Sequence, residues 1–164
     1  MTIVTNPEQV DPTESQRALA MVATGFACDK HFGRIPWPRI KFYVPGFFGD
    51  GRSGFYHIPE RTVWLDAGLD DEMLVRTAFH EVGHHYEATK HWLSSEGFVY
   101  GEEAKLIKKW NAERAHQMAI ARELADRWKM RTFNYDRERL RKQLDGPPAG
   151  ERKSGKGRWK ERNR

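Results

Sequence analysis

Ala78-Phe79-His80-Glu81-Val82-Gly83-His84-His85-Tyr86 is the stretch that decides how this sequence is read. It contains the pattern H-E-x-x-H. On an α-helix, His80 and His84 stand one turn apart on one face, so both imidazoles reach a single metal ion. Glu81 lies beside that face, where it can take a proton from a water activated by the metal. Phe79, Val82, Gly83 and Tyr86 are uncharged, as suits a helix packed behind a metal. A chance match is expected about once in a few hundred chains of this length at average composition. The pattern therefore outweighs its bland reading, two surface histidines that happen to lie at i and i+4.

Upstream, Arg39-Ile40-Lys41-Phe42-Tyr43-Val44 alternates polar and apolar residues and reads as a half-buried strand. The following Pro45–Gly54 stretch carries four glycines but lacks the lysine and Ser/Thr of a phosphate-binding loop. A hairpin turn through Asp50-Gly51 is the expectation. A substrate-facing flap is the alternative, since exposed Phe47 and Phe48 need a reason. Phe55–Ile58 and Thr62–Leu65 flank a turn at Pro59-Glu60-Arg61 and read as two antiparallel strands. His57, on the first of them, reads as structural. Acidic Asp70, Asp71 and Glu72 suit a helix start. The active-site helix is expected from about Glu72 to Lys90, with Leu74, Ala78, Phe79 and Val82 facing inward.

The nine residues around H-E-x-x-H resemble the active-site helix of zincin metallopeptidases. In this short form the motif resembles the small ImmA/IrrE-like zinc peptidases and related minimal gluzincins. The resemblance covers roughly residues 40–128 in the order of elements, and H-E-x-x-H alone is specific within it. It implies Zn²⁺ bound by His80 and His84, with Glu81 as the catalytic base that passes a proton to the leaving amine. It implies a protein or peptide substrate whose backbone pairs with a sheet edge along the cleft. It also implies a glutamate on a downstream helix as third ligand. The metzincin alternative fails, because Glu87 and Lys90 stand where that pattern needs glycine and histidine. Ser94–Gly101 reads as a loop, and a long helix is expected from Glu102 to about Lys129. Glu102, Glu103 and Glu113 are the candidate ligands. Gluzincins often place an orienting partner one turn after that glutamate, and Gln117 fills this place for Glu113. Glu113 is therefore the expected ligand, although the family's E-x-x-A-N/D is not reproduced, with His116 and Gln117 in its last two places. Tyr86, Tyr100 and His116 are candidates to stabilise the oxyanion.

Composition sets the bounds. At 164 residues the chain is long enough for one domain with a real core. Its 38% hydrophobic and 31% charged residues read as a polar-surfaced soluble protein. One cysteine, Cys28, excludes an internal disulfide and suits a reducing, cytoplasmic setting. The run from Ala18 to Cys28 is too short to span a bilayer, and Asp11 and Glu14 ahead of it argue against a signal peptide. Residues 1–10 read as a loose arm. Asp11-Pro12-Thr13-Glu14 reads as a helix start, with Asp11 capping and Leu19, Val22, Ala23 and Phe26 on one face. Gly33 and Pro36 end that helix, leaving Cys28 a small buried thiol and His31 a surface imidazole.

From Arg131 to Arg164 there are 12 Lys/Arg and 5 Asp/Glu, a net of +7 against +5 for the whole chain. Residues 1–130 thus carry −2, and the basic character belongs to the end of the chain. A short helix at Asp136–Leu144 and a disordered tail over 146–164 are expected, the tail suited to nucleic acid or another polyanion. The fold class that follows is α+β: an N-terminal helix, a short antiparallel or mixed sheet, the active-site helix and a long downstream helix, within a zincin-like domain over residues 11–145. Two rival functions remain at this point: a nucleic-acid-associated protein acting through its basic tail, and a catalytically silent zincin fold acting as a regulatory module.

Overall fold

The computed structural model describes residues 7–90 and 95–145, with side chains described as far as Arg131. The expected arm falls partly, and the basic tail wholly, outside these residues. The backbone forms two compact units that divide after Asp126. In chain order the elements are β1 (Gln9–Val10), α1 (Glu14–Phe26), a π-helical turn (Ala27–His31), β2 (Arg39–Tyr43), β3 (Gly54–His57), β4 (Thr62–Asp66), α2 (Asp71–Lys90) and α3 (Glu96–Asp145). The class is α+β with a mixed sheet, as the sequence suggests.

Helix α1 starts two residues later than the Asp11 cap would place it. Thr13 is the N-cap, and its hydroxyl accepts from Gln16 N–H at 3.1 Å while the Gln16 amide oxygen accepts from Thr13 N–H at 3.0 Å. This reciprocal box satisfies two backbone donors that the first turn would otherwise leave open. The Gln16 amide also donates to the Ala67 carbonyl at 2.7 Å and ties α1 to the chain leaving β4. Leu19, Ala23 and Phe26 enter the core, as their spacing predicts.

The sheet order is β1-β2-β4-β3, with β2 and β4 parallel and both outer pairs antiparallel. The expected hairpin through Asp50-Gly51 does not form, because β4 lies between the two strands it would join. Burial explains the order. All five residues of β4 are buried, so β4 must be flanked on both sides, and a β2–β3 hairpin would leave it at an edge. Loop 44–53 instead carries the chain past β4 to the far edge. Gly46 (φ 71°) and Gly51 (φ 77°) make its turns.

One face of the sheet, with Phe42, Val63 and Leu65, packs into the helix core beside Phe79, Val82 and Leu106. On the opposite face Phe55 stacks on Trp64, and Phe48 meets Tyr43 and Phe55 edge-on. This aromatic cover accounts for Phe48 without a flap. Phe47 stays 40% exposed. Helix α3 starts at Glu96, six residues before the expected start, and runs unbroken through the stretch expected to hold a separate short helix.

Cys28 is fully buried, and burial, reinforced by Asp29, pushes its thiol up to about 12. The thiolate is the reactive form. Labelling of native protein by a disulfide reagent at pH 8 is expected to run at least about a hundredfold slower than in denaturant. Equal rates would contradict the burial.

Candidate metal centre

Helix α2 is set by Asp70, whose carboxylate accepts from Met73 N–H at 2.8 Å. Acidic Asp71 and Glu72 then lie in its first turn, at the positive end of the helix dipole. Leu74, Val75, Ala78, Phe79 and Val82 are buried in the core, which leaves His80 and His84 on the opposite face with their side chains about 15% exposed. Gly54 of β3 brings the sheet edge against this helix. A Cβ there would lie 2.6 Å from the Thr77 methyl and 2.8 Å from the Trp64 carbonyl, so only glycine allows the approach.

The two Nε2 atoms face each other at 3.2 Å. The third group beside them is Glu96, with one oxygen 3.2 Å from His80 Nε2 and the other 3.1 Å from His84 Nε2. Ligand atoms of the three residues all lie within 4.8 Å of one another. A tetrahedral site with metal–nitrogen bonds of about 2.0–2.1 Å has ligand–ligand edges of about 3.3–3.4 Å. The 3.2 Å edge between the two nitrogens is close to this, and the Glu96 carboxylate is near enough to both for the three side chains to hold one ion.

Glu96 takes the place expected of Glu113. Glu113 is exposed and binds Lys30 at 2.7 Å and Gln117 at 3.2 Å. The Gln117 partner is present, but the pair faces Lys30. Glu102 is engaged by His31 and Lys105. His31 is thus partly buried in a polar cluster, with Lys109 on its other nitrogen at 2.8 Å, and is not a surface imidazole. Glu103 has a different task. It accepts from His80 Nδ1 at 2.9 Å and lies 3.6 Å from Arg76. With Nδ1 donating to a carboxylate, Nε2 keeps its lone pair for a metal.

Glu96 was missed because Gly97 and Gly101 made its surroundings read as a loop. Gly101, inside the helix, costs about 1 kcal/mol relative to alanine, while Gly97 lies in the first turn. That cost is offset by a cap and by burial. Ser95 closes the first turn, its carbonyl accepting from Val99 N–H at 3.1 Å, and Val99 is fully buried against Gly83. The legible signal was Ser95 followed by an acid, a fitting N-cap and first residue.

Glu81 is 6% exposed. Burial first, and then Glu96, push its carboxyl up to about 8, with Arg52 opposing. Burial also holds His84 below the ordinary histidine value, which favours the neutral ring that a metal needs. The cleft over these groups has a volume of about 500 Å³. Arg52, Tyr56, Ile58 and Tyr100 line it with the metal-site residues. Tyr100 sits with its ring centroid 4.6 Å from that of His80. Tyr86 instead packs flat on Phe32, and neither it nor His116 lines the cleft. Arg52 was not singled out from sequence. Its position is fixed by Tyr43, whose buried hydroxyl donates to the Arg52 carbonyl at 2.9 Å.

His57 stands on β3, 3.6 Å from Glu60, and takes no part in the site. His85 is buried between Tyr56 (2.8 Å) and the Pro36 carbonyl (2.8 Å). Burial lowers its pKa, and it serves as a neutral strut between β3, α2 and the chain before β2. No protein-family model matches the chain, and comparisons with curated proteins and with solved structures also return no match.

Two outcomes are expected. Glu96→Ala and Glu103→Ala each weaken Zn²⁺ binding by about 10–100-fold in a chelator competition, while Glu113→Ala leaves it unchanged. A loss confined to Glu113→Ala would restore the original assignment. The second concerns the metal-free protein. An acid whose folded pKa lies above its ordinary 4.5 destabilises the fold as pH rises from that value to about 8. Glu81→Gln removes this penalty, so its advantage in Tm over metal-free wild type widens from pH 5 to pH 8. A gap that stays constant with pH would contradict the buried carboxyl.

Proposed function

We propose that the chain is a zinc-dependent metallopeptidase of the zincin type, akin to the ImmA/IrrE-like minimal gluzincins that its active-site helix resembles. The observation that carries the reading is the convergence of His80, His84 and Glu96 beside the buried Glu81 at the floor of an open cleft. A Zn²⁺ ion held by those three side chains would polarise a peptide carbonyl and make water nucleophilic near neutral pH. Glu81 takes the proton from the attacking water and delivers it to the departing amine nitrogen. Its low exposure keeps competing water away from that transfer. Tyr100 and Arg52 both line the cleft and are the candidates to meet negative charge on the carbonyl oxygen, Arg52 while also paired with Asp50 at 3.2 Å.

Edge strand β3 supports a peptide substrate. Asp66 N–H donates to the Ser53 carbonyl at 2.9 Å, which makes Ser53 and Asp66 a hydrogen-bonded pair. With the register Gly54↔Leu65 and Tyr56↔Val63, the backbone groups of Gly54 and Tyr56 then point away from β4. Both residues line the cleft. An extended peptide adds there as a further strand, its affinity coming from the main chain. A reducing, cytoplasmic setting is part of the same proposal, on the strength of the single buried cysteine. Among the described residues, no helix is long and apolar enough to cross a membrane.

The test is cleavage of an unfolded protein and of a mixed peptide library by zinc-loaded protein. Glu81→Gln is expected to retain zinc and lose about 10²–10⁴-fold in kcat/KM. A wild type that holds zinc but cuts nothing favours the silent regulatory module. Cleavage unaffected by Glu81→Gln would remove the mechanism.

A further inference from the structure

We propose that Glu87 is a positioning residue for the third metal ligand: it clamps the start of α3, and so holds Glu96 against the two histidines. The proposal rests on the reading that His80, His84 and Glu96 hold a metal ion.

Glu96 needs such a clamp. It is the first residue of α3 and its side chain is 65% exposed. The opening turn of a helix lacks its own backbone partners and frays. A ligand in that position adds affinity only when its ordering cost has been met by other contacts.

Glu87 supplies one. It lies on α2, three residues after His84, and is 6% exposed. A carboxylate is rarely buried without a bonded partner, because its desolvation is costly. Here its oxygen accepts from Ser95 N–H at 2.8 Å, on the residue directly before Glu96. Ser95 in turn closes the first turn of α3 through the bond from Val99 N–H. Val99 then seats on Gly83, where a Cβ would lie 2.9 Å from its methyl.

The two contacts share one geometry. Gly83 and Glu87 are four residues apart on α2, and Ser95 and Val99 are four apart where α3 begins. One turn of each helix is thus fastened at both ends, with a polar contact at one and an apolar contact at the other. Glu96 lies inside the fastened turn. The negative charge of Glu87 also faces the positive end of the α3 dipole, so charge and hydrogen bond act together.

The experiment is a chelator competition for Zn²⁺ with Glu87→Ala, Glu87→Gln, Glu96→Ala and the Glu87→Ala/Glu96→Ala double variant. Glu87→Ala is expected to bind about 10–100-fold more weakly than wild type. Glu87→Gln keeps an acceptor oxygen and stays within about threefold of wild type. In the Glu96→Ala background, Glu87→Ala adds less than about threefold, because the ligand it positions is already gone. An equal loss in both backgrounds would mean general destabilisation and overturn the proposal, as would wild-type affinity in Glu87→Ala when Glu96→Ala is weakened. Should Glu87→Ala not fold, Ser95→Pro against Ser95→Ala decides. Proline deletes the N–H that donates to Glu87, whereas alanine keeps it and loses only the Oγ contact with Phe98 N–H, so proline is expected to weaken binding more than alanine, and equal affinities would overturn the clamp. A wild type that takes up no zinc removes the metal reading itself, a result distinct from all of these.

Discussion

His80 Nε2 and His84 Nε2 lie 3.2 Å apart, and both ring nitrogens cannot carry protons at that distance. Much of the fold around them keeps the pair in place with lone pairs turned toward the cleft. Glu103 accepts the Nδ1–H hydrogen bond of His80. Burial keeps His84 on the neutral side. Gly54 lets the sheet edge press on one flank of α2 and Gly83 lets α3 press on another. Two imidazoles and two acids, Glu81 and Glu96, crowd one site, with Glu96 meeting both rings and Arg52 opposing the shift of Glu81. A divalent cation gives that crowding a physical sense, because it binds the lone pairs and lowers the cost of the buried carboxyl.

That carboxyl carries a cost in stability. A carboxyl pushed to about 8 by burial weakens the fold at neutral pH. Perturbed acids of this kind gather at functional sites, because a proton shuttle works best with a pKa near the working pH. The neighbouring buried acids are treated differently. Glu87 and Asp66 accept backbone N–H bonds, Glu87 from Ser95 and Asp66 from Gly46 and Gly68. Glu81 is the acid that burial and the Glu96 charge push up.

What the sequence disclosed follows the range of each signal. Motif and helix periodicity are local, so the pairing of His80 and His84 on one face and the span of α2 were legible, as were strands β2, β3 and β4. Strand order was not. The Asp50-Gly51 turn suggested a hairpin, and only the burial of all five β4 residues shows why that strand lies between the two others. Glu96 was hidden for a related reason. Gly97 and Gly101 speak locally for a loop, whereas Val99 on Gly83 and Glu87 on Ser95 are contacts between elements. Glu113 looked suitable through Gln117, a local partner that it does bind, but Lys30 of the π-helical turn takes its other contact.

The most direct test of the account is the position of zinc itself. A crystal of the zinc-loaded protein, measured at the zinc absorption edge, should show one anomalous peak per chain between His80 Nε2, His84 Nε2 and the Glu96 carboxylate, at about 2.0–2.2 Å from each. A peak that included Glu113, or a fully loaded protein with no peak at His80 and His84, would contradict it.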